Sequence, residues 1–168
     1  MALIPKTQRK LRETKFFMGK LMQEAQTTEL DKEDFEFLLS AFLTAGRSVR
    51  DVLRNEHRSY KAWYQPVWKT KLRPEESQLF DFMQKQRNIE VHQLGAETQE
   101  SIEMIPLAHA PGNSPLYAAY ADTGAEIGQK VYYVEINGKH EKALAVCRRY
   151  LDLLVRLVDD FDAHFPRK

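Results

Sequence analysis

The stretch FEFLLSAFLTAGRSV, residues 35–49, decides how this chain folds. Its apolar and small side chains recur every three or four positions as far as Val52, which is the spacing of one buried helix face. Asp31 is the predicted N-cap, and Asp34 adds a further negative charge to the first turn. We therefore predict a helix from Asp31 to about Asn55. Its predicted buried positions are Phe35, Leu38, Phe42, Ala45, Val49 and Val52.

Four small residues lie inside this helix, and we expect them to let another helix approach closely. The small residues are Ser40, Ala41, Ala45 and Gly46.

Three further segments, 6–26, 74–95 and 140–164, also show helical periodicity. Residues 57–73 are less regular, and Pro66 should interrupt any helix there because it lacks an N–H and clashes with the preceding turn. The predicted apolar seam of the last helix is Leu144, Cys147, Leu151, Leu154, Val158 and Phe161.

Residues 96–138 have a different character from the helical segments. Residues 101–106 and 130–136 are typical of short strands, and the proline- and glycine-rich stretch 111–115 lies between them. We predict a small β-hairpin or an irregular insert here, before the last helix. The expected fold is mainly α: a single domain, residues 1–168, built as an antiparallel bundle of four or five helices.

Composition points to an ordinary soluble protein. The chain has 168 residues, enough for one sizeable core, with 43% hydrophobic and 29% charged residues. Cys147 is the only cysteine, so no intramolecular disulfide is possible. Neither a signal peptide nor a membrane span is predicted. We expect a cytoplasmic location and no membrane partner.

The net charge of +1 conceals two basic segments. Residues 1–20 hold six Lys or Arg against one Glu, and residues 47–73 hold eight against two acids. If the fold brings them together, they would form a surface for a polyanion. Alternatively, basic and acidic segments simply face each other within the fold.

The sequence Arg87-Asn88-Ile-Glu-Val-His92 is the strongest candidate for chemistry. The helix that opens at Pro74 needs an apolar residue at position 87 to continue its buried stripe, and an arginine stands there. Arg87 and His92 are about 140° apart around the helix and about 7.5 Å apart along it, so both could reach one phosphodiester. Guanidinium suits a phosphate oxygen, and imidazole suits proton transfer at a ribose 2′-hydroxyl. The structural alternative is that Arg87 pairs with an acid such as Glu36 or Asp81 and His92 is an ordinary surface histidine.

This motif resembles the R-(polar)-x-x-x-H motif of the HEPN superfamily of helical ribonucleases. The stretch 35–49 is also similar to the long helix that precedes the motif in stand-alone bacterial members. The resemblance implies a homodimer with one composite cleft, in which RNA is cut without metal or cofactor to leave a 2′,3′-cyclic phosphate. It implies that Arg87 stabilises the phosphate, His92 acts as general acid and base, and Asn88 orients them.

Some toxin members of that superfamily carry a tyrosine two residues after the histidine, where a cognate enzyme modifies it. Leu94 stands at this position here, which argues against that mode of neutralisation. A role as a toxin or defence component, with a cognate antitoxin as a partner, remains an expectation from the resemblance alone.

Two weaker patterns predict where RNA would bind. Arg47, Arg50 and Arg54 lie three or four positions apart and would form a basic ridge on the helix. Lys69 and Lys71 follow a run of tryptophans and tyrosines, as on a nucleic-acid surface. The alternatives are a solvated face for the arginines and core packing for the aromatic residues. No spacing of Cys, His or Asp indicates a metal site.

Two other functions also fit the sequence. A non-catalytic HEPN-like module would bind RNA, a nucleotide or a partner protein, with Arg87 and His92 as structural polar groups at the dimer interface. A dimeric small-molecule-binding protein would use the same cleft. RNA cleavage in the presence of a chelator separates the nuclease from both.

Overall fold

The computed structural model describes residues 4–25, 31–92, 98–106, 124, 126–136 and 138–165, with only the helical backbone described for 85–92. The helices are α1 (Pro5–Glu24), α2 (Lys32–Glu56), α3 (Tyr60–Trp63), α4 (Pro74–His92) and α5 (Ala143–His164). The strands β1 (Gln99–Pro106), β2 (Glu126–Ile136) and β3 (Lys139–Lys142) form one antiparallel sheet in that order. This part of the chain is mainly helical, as predicted. The predicted helix end at Gly95 and the 111–115 stretch lie outside the described residues.

Helix α2 begins where the sequence predicts. The Asp31 carboxylate accepts a hydrogen bond of 3.2 Å from the backbone N–H two residues on. Of the predicted buried positions, all are buried except Leu38 and Val52, which are half-buried. The buried stripe passes through Leu39 and Leu53 instead, so it is rotated slightly from the predicted one.

The C-terminus of α2 caps the N-terminus of α1, so these two helices are antiparallel. The Glu56 carboxylate accepts hydrogen bonds from the backbone N–H groups of Lys6 and Thr7, at 2.9 and 2.8 Å, and from the Thr7 hydroxyl at 2.7 Å. Burial alone would raise the pKa of Glu56, but these hydrogen bonds outweigh it and lower the pKa. Two otherwise unpaired donors of α1 are satisfied by an anion at the positive end of the helix.

Helix α5 runs parallel to α2 and lies against it along its length. Near the middle of α2, the Phe42 and Tyr150 rings are 6.1 Å apart, and at its end the His57 and Phe161 rings are 4.9 Å apart. Gly46 makes this close packing possible, because a Cβ there would lie 2.8 Å from Cε1 of Tyr150. The predicted close approach of a second helix at the small residues of α2 therefore occurs at Gly46.

Helix α4 is antiparallel to α5, and two polar contacts fix their alignment. The Gln84 side-chain amide donates a 2.8 Å hydrogen bond to the Tyr150 hydroxyl. Near the other end, the Arg156 guanidinium donates two hydrogen bonds, of 3.0 and 3.1 Å, to the two oxygens of Glu76. The four long helices α1, α2, α4 and α5 thus run in alternating directions in the order up, down, up, down.

We expect Glu76→Gln to destabilise the protein by about 1–2 kcal/mol at neutral pH, since it weakens a bidentate charged pair that is only partly exposed. Hydrogen bonds from Arg156 and from the backbone N–H of Arg73 lower the pKa of Glu76 to about 2. A carboxylate whose pKa is lower in the folded state stabilises the fold above its unfolded pKa, 4.5, and this contribution is lost as the pH falls toward 2.

Urea unfolding at pH 7 and pH 3 checks this expectation. The difference in unfolding free energy between wild type and Glu76→Gln should shrink at pH 3. Glu75→Gln is the matched control, because the Glu75 side chain is 63% exposed and pairs with Arg73 on the surface. Equal losses of unfolding free energy from Glu76→Gln and Glu75→Gln at pH 7 would contradict the stabilising role of the pair between Glu76 and Arg156.

The segment between α3 and α4 remains helical through Pro66, which differs from the predicted interruption. Residues 64–68 form a π-helical turn, in which the backbone N–H of Lys69 donates to the carbonyl of Tyr64, five residues back. A wider turn of this kind tolerates a residue that lacks an N–H. The side chains of Trp63, Tyr64 and Trp68 are buried on the helices. The core-packing alternative for these aromatic residues is therefore confirmed.

The insert is a three-stranded sheet rather than a single hairpin. The two predicted strands are present within longer ones, and Ser101 pairs with Val131 in the antiparallel register. Gly138, at a φ of +76°, helps to reverse the chain so that Ile136 pairs with Lys139. Residues 139–142 consequently pair with β2, and the last helix begins at Ala143 rather than at about His140. The prediction for this helix start was wrong by three residues.

Helix α5 is buried over a wider face than the predicted seam. Four of the six predicted positions are buried, while Leu144 and Leu151 are half-buried. Contacts with α1, α2 and α4 bury further positions on both sides of that seam. The additional buried residues are Ala143, Val146, Tyr150, Leu153 and Leu157.

Candidate functional site

The R-N-x-x-x-H element lies on a continuous α-helix, as the sequence predicts. Helix α4 extends to His92, so the backbone of residues 87–92 is helical. The side chains of Arg87, Asn88 and His92 lie outside the description. Their roles therefore stay predictions, and the described residues show only where the helix carries them.

The two acids considered as partners of Arg87 both have other partners. Asp81 accepts hydrogen bonds of 2.7 and 2.9 Å from the Lys69 ammonium group. Glu36 accepts a 2.8 Å hydrogen bond from the Thr98 hydroxyl and lies 3.7 Å from Lys32. Neither carboxylate depends on Arg87 for a partner.

Contacts on either side of the motif show which part of α2 it runs beside. Gln84, one turn before the motif, is hydrogen-bonded to Tyr150, whose ring lies against Gly46 of α2. Beyond the motif, Thr98 bonds to Glu36 near the start of α2. The chain therefore passes from the middle of α2 toward its N-terminus between residues 84 and 98. The motif begins about 4.5 Å beyond Gln84 along the helix axis and reaches His92 at about 12 Å.

Arg47, Arg50 and Arg54 come together on α2, around one carboxylate. Asp51 lies 3.4 Å from Nε of Arg47, 3.5 Å from Nη2 of Arg50 and 3.9 Å from Nη2 of Arg54. We call these four residues the arginine cluster. One carboxylate balances one of three guanidinium charges, so the cluster keeps a net charge of about +2 for an external anion.

The arginine cluster is partly exposed and borders buried polar groups. The exposed fractions of the Arg47, Arg50 and Arg54 side chains are 23%, 25% and 49%. Within the described residues, Nη1 of Arg47 and the Tyr60 hydroxyl are nonetheless buried with no hydrogen-bond partner. Because these two atoms are inaccessible, an external anion would meet the exposed parts of the guanidinium groups instead.

Three tyrosines beside Arg50 stay protonated. Burial raises the pKa of Tyr60, Tyr64 and Tyr150, and the positive charge of Arg50 opposes this rise at all three hydroxyls. Arg50 also donates a hydrogen bond to Tyr64. Because Tyr150 in turn bonds to Gln84, Arg50 lies on the side of α2 that faces α4. The cluster therefore borders the groove between these two helices.

The arginine cluster lies beside the start of the motif and not beside its histidine. Gly46 of α2 is level with Gln84 of α4. Arg47, the next residue of α2, is therefore offset by about 6 Å along the axis from residue 87. Arg54 lies further toward the opposite end of α2, about 24 Å along the axis from the level of His92. The motif part of α4 and the arginines therefore lie at successive levels along the axis of α2.

The two predicted RNA-binding lysines differ from each other in their surroundings. Lys69 pairs with Asp81 of α4, and this ion pair occupies its charge. Lys71 is exposed on a short 3-10 turn that follows the π-helical turn. The tryptophans and tyrosines between them and the arginine cluster are buried, so they offer no stacking surface for bases.

Sequence reasoning missed Asp51 and Gln84, which organise the polar groups between α2, α4 and α5. Asp51 could have been found, because it lies four residues after Arg47 and three before Arg54 on one helix face. No sequence signal placed Gln84 against a tyrosine 66 residues away. Its Oε1 atom, one turn before Arg87, is buried and accepts no hydrogen bond from the described residues.

Comparisons with protein-family models, curated proteins and solved structures find no match to this chain. In the described part, no helix combines the length and apolar character needed to cross a membrane. Among the same residues, no three His, Cys, Asp or Glu side chains are grouped to hold a metal ion.

Proposed function

We propose that this protein is a HEPN-type helical-bundle endoribonuclease that cleaves RNA without metal and acts as a homodimer. The observation that carries the proposal is the position of α4. Its motif half runs antiparallel beside α2, in line with the arginine cluster of net charge about +2. This arrangement supports the proposal, because the helix that carries the predicted catalytic element packs beside the helix that carries a basic surface.

In this proposal the two functions of the groove are separate. Arg47, Arg50 and Arg54 bind phosphates of the RNA strand from about one nucleotide to a few nucleotides away from the cut, in keeping with their axial offsets of about 6 to 24 Å from the motif. Arg87 stabilises the scissile phosphate, His92 transfers protons at the 2′-hydroxyl and the leaving oxygen, and Asn88 orients them. Lys71 extends the basic surface, whereas Lys69 chiefly anchors α4 through Asp81.

Single-stranded RNA incubated with the protein in a chelator tests the nuclease function. The proposal expects cleavage, and sedimentation of the same sample should show a dimer because each motif contributes half of the composite cleft. Intact RNA at high protein concentration, or cleavage by a strict monomer, would contradict it. RNase inhibitor specific for unrelated secreted ribonucleases, added in parallel, controls for contamination.

We expect Arg50→Gln with Arg54→Gln to weaken RNA binding by about ten-fold or more at moderate salt, equally for all sequences. The reason is that these arginines contact phosphates rather than bases, so each lost contact also lowers the slope of log affinity against log salt by about 1. Filter binding or fluorescence anisotropy at several salt concentrations measures both quantities. Arg9→Gln with Arg12→Gln is the control, because these two exposed arginines of α1 give the same charge change elsewhere. Equal losses of RNA affinity in the arginine-cluster variant and in the control variant would show only an effect of net charge.

RNA binding without cleavage is the second candidate, and the arginine cluster favours it independently of the motif. Its three guanidinium groups, which keep a net charge of about +2 beside Asp51, need no catalytic partner to bind phosphate. Salt-dependent RNA binding by a dimer that leaves RNA intact in a chelator would support this candidate over the nuclease.

A further inference from the structure

A cavity of about 350 Å³ lies where the sheet meets the helices, apart from the arginine cluster. The end of α1, the start of α2, strands β1 and β2, and the first turns of α5 line it. This volume falls in the range of sites that bind small organic molecules. None of the residues placed in the RNA groove above belongs to its lining.

One wall of the cavity is a rigid apolar surface. The rings of Phe35 and Tyr132 are stacked with their centroids 4.2 Å apart and an interplanar angle of 14°. Both residues are buried, at 1% and 3% exposure, so neither ring has room to move. Val131 and Leu144 continue this surface, and the lining as a whole is more apolar than polar.

Most of the charge around the cavity is already paired. The ammonium group of Lys142 lies 2.6 Å from Glu103, and that of Lys130 lies 3.5 Å from Glu100. Glu103 also accepts a hydrogen bond from the Tyr133 hydroxyl. Both carboxylates at this end of the sheet therefore already have a lysine partner. Neither of them is needed to balance the charge of Arg148, the remaining cation of the lining.

Among the described residues that line the cavity, Arg148 is the cation that has no carboxylate partner. Its Nη2 atom lies 3.6 Å from Sδ of Met22, and this weak acceptor is its only hydrogen-bond partner recorded within the described residues. A guanidinium group presents paired N–H donors that match the two oxygens of one carboxylate. The cavity thus combines an apolar wall with one open binding group for an anion.

We propose that this cavity binds a small monocarboxylate with a planar or branched apolar body. The carboxylate pairs with Arg148, and the body lies between the wall formed by Phe35 and Tyr132 and the side chain of Leu144. A monocarboxylate fits this arrangement, because Lys130 and Lys142 are engaged by Glu100 and Glu103, and Arg148 is left to match a single negative charge. This inference does not depend on the proposed RNA function.

Titration of the full chain with phenylacetate and with 3-methylbutanoate, each beside its uncharged amide, tests the inference. Methyl NMR shifts of Val131 and Leu144 report where the compound binds, and calorimetry gives its affinity. We expect one of the acids to bind at millimolar concentration or below, and its amide to bind at least about ten-fold more weakly. Which acid binds distinguishes a planar from a branched body.

Two variants and one control locate the site. Arg148→Gln should weaken binding of the acid by about ten-fold or more, and Ala145→Trp should abolish it by filling the cavity. Arg149→Gln, the same charge change one residue on, should bind as wild type does, because Arg149 pairs with Glu141 outside this cavity. Thermal unfolding confirms that each variant is folded. Absence of shifts with both acids, equal binding of acid and amide, or unchanged binding by both variants would overturn the inference.

Discussion

Replacing His92 by alanine is expected to reduce RNA cleavage by about a thousand-fold, within the range that a positioned acid or base contributes. Arg87→Ala is expected to cost about a hundred-fold or more, since a guanidinium group aimed at the reacting phosphate stabilises charge that develops during the reaction. Both losses should appear in kcat, while RNA binding through the arginine cluster changes little. Single-turnover cleavage of a labelled RNA, with binding measured in parallel, separates the two effects.

Surface residues of the same types provide the controls. His140 is exposed on β3 and Arg58 is exposed just after α2, so His140→Ala and Arg58→Ala remove one imidazole and one guanidinium group elsewhere. Cleavage by both controls should stay within about two-fold of wild type, as expected for exposed sites away from the chemistry. If His92→Ala and Arg87→Ala cut RNA as fast as these controls do, the motif is not a nuclease site.

Gly46→Val is expected to destabilise the protein by about 3 kcal/mol, the largest effect on stability that the described contacts predict. A Cβ at position 46 would lie 2.8 Å from Cε1 of Tyr150 and 3.2 Å from Cδ1 of Leu154. The Tyr150 ring is fully buried between Phe42 and Phe80, and its hydroxyl is held by Gln84. It therefore has little freedom to move aside.

Alanine substitutions at two helical glycines make the matched comparison. Gly46→Ala should destabilise by about 1 kcal/mol, because the clash exceeds the gain in helix propensity. Gly19→Ala should stabilise by about 0.5–1 kcal/mol, since a Cβ there meets nothing within 4 Å. Urea unfolding curves give both differences in free energy. Equal stabilisation by the two substitutions would contradict the close packing of α2 on α5.

Periodicity and capping were enough to predict the four long helices, but not the short helix α3. Asp31 and the apolar spacing of 35–49 specify α2 locally, and Pro74 specifies the start of α4 in the same way. The start of α5 could not be predicted, because residues 139–142 become a strand only by pairing with β2. Helical periodicity inside α5 says nothing about such a partner.

The candidate site was predictable in its residues but not in its arrangement. The spacing of Arg47, Arg50 and Arg54 indicates one helix face, and the structure places them on one face around Asp51. The pairing of Lys69 with Asp81 depends on how α4 packs, which no local pattern encodes. Contacts of this kind, between residues distant in sequence, are set by tertiary structure alone.

The aromatic residues of segment 63–68 also show that a local sequence pattern does not decide between a surface and a core position. Alternation of Trp63, Tyr64 and Trp68 with basic residues suits a nucleic-acid surface as well as a core. The π-helical turn around Pro66 decides between them, because it directs these rings into the protein. Composition alone could not predict the width of that turn.

The end groups of RNA cut in the presence of a chelator test the central proposal most directly. A metal-independent cut through the 2′-hydroxyl leaves a 2′,3′-cyclic phosphate on one fragment and a 5′-hydroxyl on the other. The account predicts these two ends for wild type and their loss in His92→Ala. Intact RNA, or fragments that end in a 3′-hydroxyl and a 5′-phosphate, would contradict it.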